Sequence, residues 1–146
     1  MNISGGLNVS QIYSVEAESK AFRMYSYIKN NLKMDVYNIA INTGYSVEQI
    51  RILKDYLFIN SHQLISGYEP FHPNYEIGQS WLRLCGHTKN MNIQPHDLLL
   101  IKHELYEISL LLNDKRLTQI QAHKQAEIIF NYSLASREFY KSLGKV

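Results

Sequence analysis

The sequence predicts an all-α protein: one compact, predominantly helical domain of about six to seven helices, with a helical hairpin near the C-terminus. Three observations carry that expectation. Seven Gly and three Pro in 146 residues are too few breakers for a multi-turn β architecture. Apolar residues recur at three- and four-residue spacing through most of the chain. Two capping boxes, Ser46-Val47-Glu48-Gln49 and Thr118-Gln119-Ile120-Gln121, open two of those periodic stretches.

Residues 1–12 read as a flexible lead-in, with Gly5-Gly6 and no periodicity. Ser14 ahead of Glu16 and Glu18 caps a first helix over about 14–31, whose buried stripe is Ala21, Met24, Tyr25 and Ile28. A second helix runs from Asp35 to Thr43 and stops at Gly44. The Ser46 box starts a third, with Val47, Ile50, Leu53 and Leu57 inward and an end near Asn60. Together these make an N-terminal helical subdomain, 13–60, ahead of a C-terminal helical region, 61–146, in which the candidate catalytic residues lie.

Residues 61–75 break the pattern: Ser66-Gly67, Pro70 and Pro73 mark an irregular segment, because proline disfavours helix at the residue before it. Glu76 to Leu84 follows as a short helix closed by Gly86, carrying Ile77, Trp81 and Leu84. Pro95 suits the first position of the next helix, where its missing N–H costs nothing. Its apolar positions Leu98, Ile101, Leu105, Ile108 and Leu112 run to about Asn113. The Thr118 box opens a helix through Ile120, Ile128 and Ile129 to about Tyr132, and a last helix covers Leu134 to Leu143.

Composition narrows the function classes. The 45% of hydrophobic residues suffices for a real core, and the charge balance is mild, +2 from 15 basic and 13 acidic residues. A duplex-binding module shows a denser basic stripe. A single cysteine, Cys85, excludes an internal disulfide and a thiolate zinc framework, and is expected to be a small buried hydrophobe. Trp81 is likewise expected in the core. No apolar run approaches the roughly 20 residues that a spanning helix needs, and the N-terminus has no signal-peptide pattern.

The chemistry concentrates in Pro95 to Glu107. At about 100° per residue, His96, His103 and Glu107 fall within roughly 40° of one another on one helical stripe, with Glu104 at its edge. The short connection Asn113-Asp114-Lys115-Arg116 lets the next helix return antiparallel, so that His123 can face His103, Glu104 or Glu107 across the seam. Two chemistries fit. In the first, without metal or any other cofactor, His103 and His123 act as a proton-transfer pair oriented by Glu104 and Glu107. RNA suits it, since the 2′-hydroxyl is a built-in nucleophile; Arg83, Lys102 or Lys124 could supply the cation for phosphate, and His96 and Asn131 would touch substrate. In the second, His103, Glu107 and His123 form the His2Glu set that catalytic zinc uses. The helix reads His-Glu-x-x-Glu rather than His-Glu-x-x-His, which ranks zinc below the metal-free chemistry. His62 and His72 are left unassigned.

A different class comes from residues 35–58, whose helix–Gly turn–capped helix outline matches a DNA-reading motif with Arg51 and Lys54 outward. A phage-structural helical domain is the other non-enzymatic alternative.

The strings Phe71-His72-Pro73-Asn74-Tyr75, Ile77-Gly78-Gln79-Ser80-Trp81-Leu82-Arg83-Leu84 and Ile93-Gln94-Pro95-His96-Asp97 precede His103-Glu104-x-x-Glu107, Ala122-His123 and Phe130-Asn131-Tyr132. Over roughly residues 35–135 this series resembles C-terminal toxin domains of bacterial polymorphic and contact-dependent growth inhibition toxins, which also occur in prophages. The resemblance implies an effector tip delivered by a larger secreted protein into the target-cell cytoplasm, and a cognate immunity protein covering its active surface. It also implies a nuclease, often against transfer RNA. The combined expectation is a toxin ribonuclease, with a metal-dependent hydrolase or NAD-consuming toxin as the alternative.

Overall fold

The computed structural model describes residues 12, 14–59, 61–64, 67–70, 73–88 and 91–144, with the backbone alone for 61–64 and 67–70. Residues 1–11 of the lead-in, His72 and the side chain of His62 lie outside the described residues. Among the described residues the chain forms seven α-helices: α1 (Val15–Asn30), α2 (Asp35–Thr43), α3 (Val47–Lys54), α4 (Tyr75–Leu84), α5 (Pro95–Asn113), α6 (Gln119–Ile129) and α7 (Tyr132–Leu143). The all-α class therefore holds.

Local signals set most of the helix ends. Ser14 Oγ accepts from Ala17 N at 3.1 Å to cap α1, whose inward face is Ala17, Ala21, Met24, Tyr25 and Ile28. Gly44, at φ +83°, closes α2 in the left-handed conformation that a side chain disfavours. Both capping boxes are formed, Ser46 with Gln49 and Thr118 with Gln121.

Three segments differ from expectation. The stretch 61–70 is an antiparallel hairpin, β1 (Ser61–Leu64) paired with β2 (Gly67–Pro70), in the register Ser61↔Pro70 to Leu64↔Gly67. Pro70 terminates the strand, where it costs little of the ladder. Helix α6 ends at Ile129, before Tyr132, because Phe130 leaves helical geometry (φ −125°, ψ 82°) and Asn131 starts α7 by accepting from Leu134 N at 3.1 Å. Ahead of the hairpin, α3 does not continue as α-helix to Asn60 but passes into a π-helical turn, Asp55–Ile59.

Helix α4 is the centre of the molecule: every residue from Tyr75 to Leu84 is buried. Gly78 lets α1 approach closely, since a Cβ there would stand 3.0 Å from Met24 Cε. Trp81 and Cys85 are both buried, as expected, and the Trp81 indole donates to Asp35 at 2.9 Å. One hydrophobic cluster runs from Ile12 through Trp81 to Tyr140, joining α1 to α7.

Helix α5 follows the expected apolar stripe only in part: Ile101 is buried, and Leu105 and Ile108 pack against the core. Its buried residues are His96, Asp97, Leu100, Ile101, His103, Glu104 and Glu107. Leu98 and Leu112, assigned inward by periodicity, are exposed, as are Ile128 and Ile129 on α6, where small Ala122 and Ala126 face the seam instead. Burying that much polarity requires partners, and the partners define the site.

Candidate functional site

Helices α5 and α6 pair antiparallel across the short connection 114–118, as the sequence predicts, and bring His103 and His123 together with ring centroids 4.9 Å apart. Three atoms converge. His103 Nε2 lies 3.2 Å from His123 Nδ1 and 3.3 Å from Glu107 Oε1, and His123 Nδ1 lies 3.1 Å from the same oxygen. Each of them is held from behind. His103 Nδ1 donates to the Phe130 carbonyl at 2.8 Å, so Nε2 is a lone pair in the neutral ring and a donor to Glu107 in the protonated one. His123 Nε2 pairs with Glu127 Oε2 at 3.3 Å, so Nδ1 is an acceptor in the neutral ring and a donor to Glu107 in the protonated one. Glu107 Oε2 accepts from the Tyr56 hydroxyl and, at 3.4 Å, from the Gln119 amide.

Three electron-rich atoms within about hydrogen-bond distance repel unless a positive charge sits among them. The electrostatics express that demand. Burial alone would raise the Glu107 carboxyl, but hydrogen bonds from His103, His123 and Tyr56 and the charge of His123 outweigh it and hold it at about 2. The bond to Glu107 raises the His123 imidazole above its ordinary value, against burial. Glu104 behaves oppositely: burial, and then the Glu107 charge, push it well above the usual carboxylate range. Its Oε2 is buried without a hydrogen-bond partner among the described residues.

A proton or a metal ion among the three atoms would relieve that repulsion. Tetrahedral zinc with bonds near 2.0–2.1 Å has ligand–ligand edges of roughly 3.3 Å, and the observed edges are 3.1–3.3 Å. The His103, Glu107 and His123 donor atoms form a group able to hold a metal ion. Access comes from one side: the His123 side chain is 39% exposed, while those of His103 and Glu107 are at 2% and 0%.

The remaining sequence candidates do not join this triangle. Arg83 is buried, donating to Asp97 from Nε at 2.8 Å and from Nη2 at 2.9 Å. The same Nη2 donates to His96 Nε2 at 3.0 Å, and Phe139 stacks on the guanidinium. His96, two helical turns before His103 and about 10 Å along the axis, belongs to that separate cluster; burial lowers its imidazole to about 4. Neither Arg83 nor His96 is placed to meet phosphate. Lys102 is exposed, and Asn131 caps α7. In the α2–α3 pair, Lys54 does not face outward but reaches the buried Asp35 at 2.9 Å, whereas Arg51 is exposed beside Tyr37. Tyr56 and Gln119 are the site residues that sequence reasoning missed. Gln119 stands in the motif of the Thr118 box, but nothing in the pattern around Tyr56 announces its role, because the π-turn re-aims it.

No protein-family model matches this chain, and no solved structure does. A segment of 57 residues is 54% identical to photosystem I P700 chlorophyll a apoprotein A2 of Synechococcus elongatus, and equally to the protein of that name from a second Synechococcus strain. The segment covers 39% of this chain, and the chain spans only 8% of the length of those curated relatives. Among the described residues no helix is long and apolar enough to cross a membrane.

Proposed function

We propose that this chain is a metal-dependent hydrolase domain whose centre is His103, Glu107 and His123. The single observation that carries the reading is the triangle of donor atoms with edges of 3.1–3.3 Å, each atom fixed by a partner behind it. Two imidazoles and one carboxylate with a position left open is the donor set of catalytic zinc, which supplies a water ionised near neutral pH. The chain's own residues do the rest. Phe130 and Glu127 fix the ring orientations, Glu107 supplies the anionic ligand, and the half-exposed His123 marks the side from which substrate enters. Lys102 and Lys124, exposed beside the two histidines, are available to a substrate phosphate.

The resemblance to polymorphic-toxin tips supplies the setting: delivery into a target cell, an RNA substrate and a cognate immunity protein. A second reading, metal-free acid–base cleavage of RNA, is favoured by the 3.2 Å contact of the two imidazoles and the raised His123. Metal analysis of the purified chain and RNA profiling after induction separate the two. The expected result is one zinc per chain in the wild type. His103→Ala, His123→Ala and Glu107→Gln should each lose it, with RNA degradation abolished by chelation and restored by added zinc. RNA cleavage that survives chelation would favour the second reading, and intact RNA in poisoned cells would remove RNA as substrate.

A further inference from the structure

Glu107 can present one oxygen or two to an ion, and its surroundings decide which. It is fully buried, so water does not compete for its oxygens. Oε1 faces the two imidazoles at 3.3 and 3.1 Å, while Oε2 is turned away and taken by two donors. One is the Gln119 amide at 3.4 Å, from the first residue of α6. The other is the Tyr56 hydroxyl, which comes from 51 residues upstream. Tyr56 arrives there because the chain leaves α3 through a π-helical turn, Asp55–Ile59. Such turns insert a residue, redirect the side chains that follow, and occur often at functional sites.

We propose that Tyr56 is a positioning residue of the metal centre: by holding Glu107 Oε2 it makes Glu107 a one-oxygen ligand and leaves the ion an open coordination position. The inference rests on the metal reading above. A partner that orients a ligating carboxylate typically contributes 10–100-fold in metal affinity. Freed of it, Glu107 can close both oxygens on the ion and fill the position that substrate needs.

Cobalt(II) serves as the probe, because its visible absorption distinguishes four-coordinate from higher-coordinate sites. The metal-free wild type, Tyr56→Phe and Gln119→Leu would be titrated with cobalt and followed by absorption, with thermal melts alongside. The wild type should bind one equivalent with intense four-coordinate bands. Tyr56→Phe should bind about 10–100-fold more weakly, with bands weakened and shifted towards five-coordination. Gln119→Leu should move in the same direction by less, and it carries the test if Tyr56→Phe fails to fold. Wild-type affinity and an unchanged spectrum in a folded Tyr56→Phe overturn the role of Tyr56 and leave the metal centre standing. If Tyr56→Phe does not fold, an unchanged Gln119→Leu overturns the restraint on Oε2. No cobalt binding by the wild type overturns the metal centre, and this proposal with it.

Discussion

Replacing Arg83 by Met tests whether this arginine serves the core or a substrate. The guanidinium is 3% exposed and Asp97 0%. Arg83→Met removes both donors to Asp97, at 2.8 and 2.9 Å, and the donor to His96 at 3.0 Å. Among the described residues the carboxylate then keeps the Gln94 N–H, at 2.8 Å, and the His96 ring nitrogen, at 3.4 Å, while remaining buried. Breaking a buried pair from one side costs about 3–5 kcal/mol. For a chain of this size each kcal/mol shifts Tm by roughly 2–4 °C, so the melt should fall by roughly 6–20 °C. The double variant Arg83→Met/Asp97→Leu removes the stranded charge and, beyond what the single variant already loses, forfeits the Gln94 contact, worth about 1 kcal/mol. It should therefore recover most of the loss. Urea denaturation of the wild type, both single variants and the double variant gives the coupling directly. A loss below about 1 kcal/mol for Arg83→Met, or a double variant no better than the single, refutes the argument that this pair holds the core.

Two further expectations follow from buried groups. Burial lowers His96 to about 4 in the folded chain, against about 6.5 unfolded. The unfolded state therefore binds the extra proton first: the contribution is complete above about pH 6.5 and is lost as pH falls towards 4. It amounts to roughly 3 kcal/mol at most. Urea melts at pH 7 and pH 4.5 should show that loss in the wild type and a smaller one in His96→Leu; equal losses would refute the assignment. The Cys85 thiol is buried and pushed up to about 12, so the native chain at pH 8 should react with a thiol reagent at least about 100-fold more slowly than the urea-unfolded chain. A comparable rate would show that Cys85 is open to solvent.

Short-range chemistry was readable in the sequence because its partners lie within four residues. Ser46 with Gln49, Thr118 with Gln121, Gly44 at a helix end and Pro95 at a helix start each act through their own neighbours. The meeting of His103 and His123 was readable too, since a short connection between two periodic stretches leaves few alternatives to an antiparallel pair. The orientation of α5 was readable only in part, through Ile101, Leu105 and Ile108. Periodicity assigns its leucines inward, yet the stripe of His96, Asp97, His103, Glu104 and Glu107 is buried and Leu98 and Leu112 face out. Most of that polar stripe finds its partners on α4, on the α3 π-turn and at the end of α6, at sequence distances where spacing carries no information. Tyr56 was hidden for a further reason: a one-residue excess in a helical turn leaves no trace in residue type.

The interruption between α6 and α7 also has a chemical use. Had the helix run on through residue 132, the Phe130 oxygen would have spent itself on the amide of Leu134. That amide is satisfied instead by the side chain of Asn131, and the released oxygen turns towards His103. A sequence change far from the reacting atoms, one that merely mended this break, would let the imidazole swap its protonated and bare nitrogens. The polypeptide thus uses a gap in its own regularity as the latch on a tautomer.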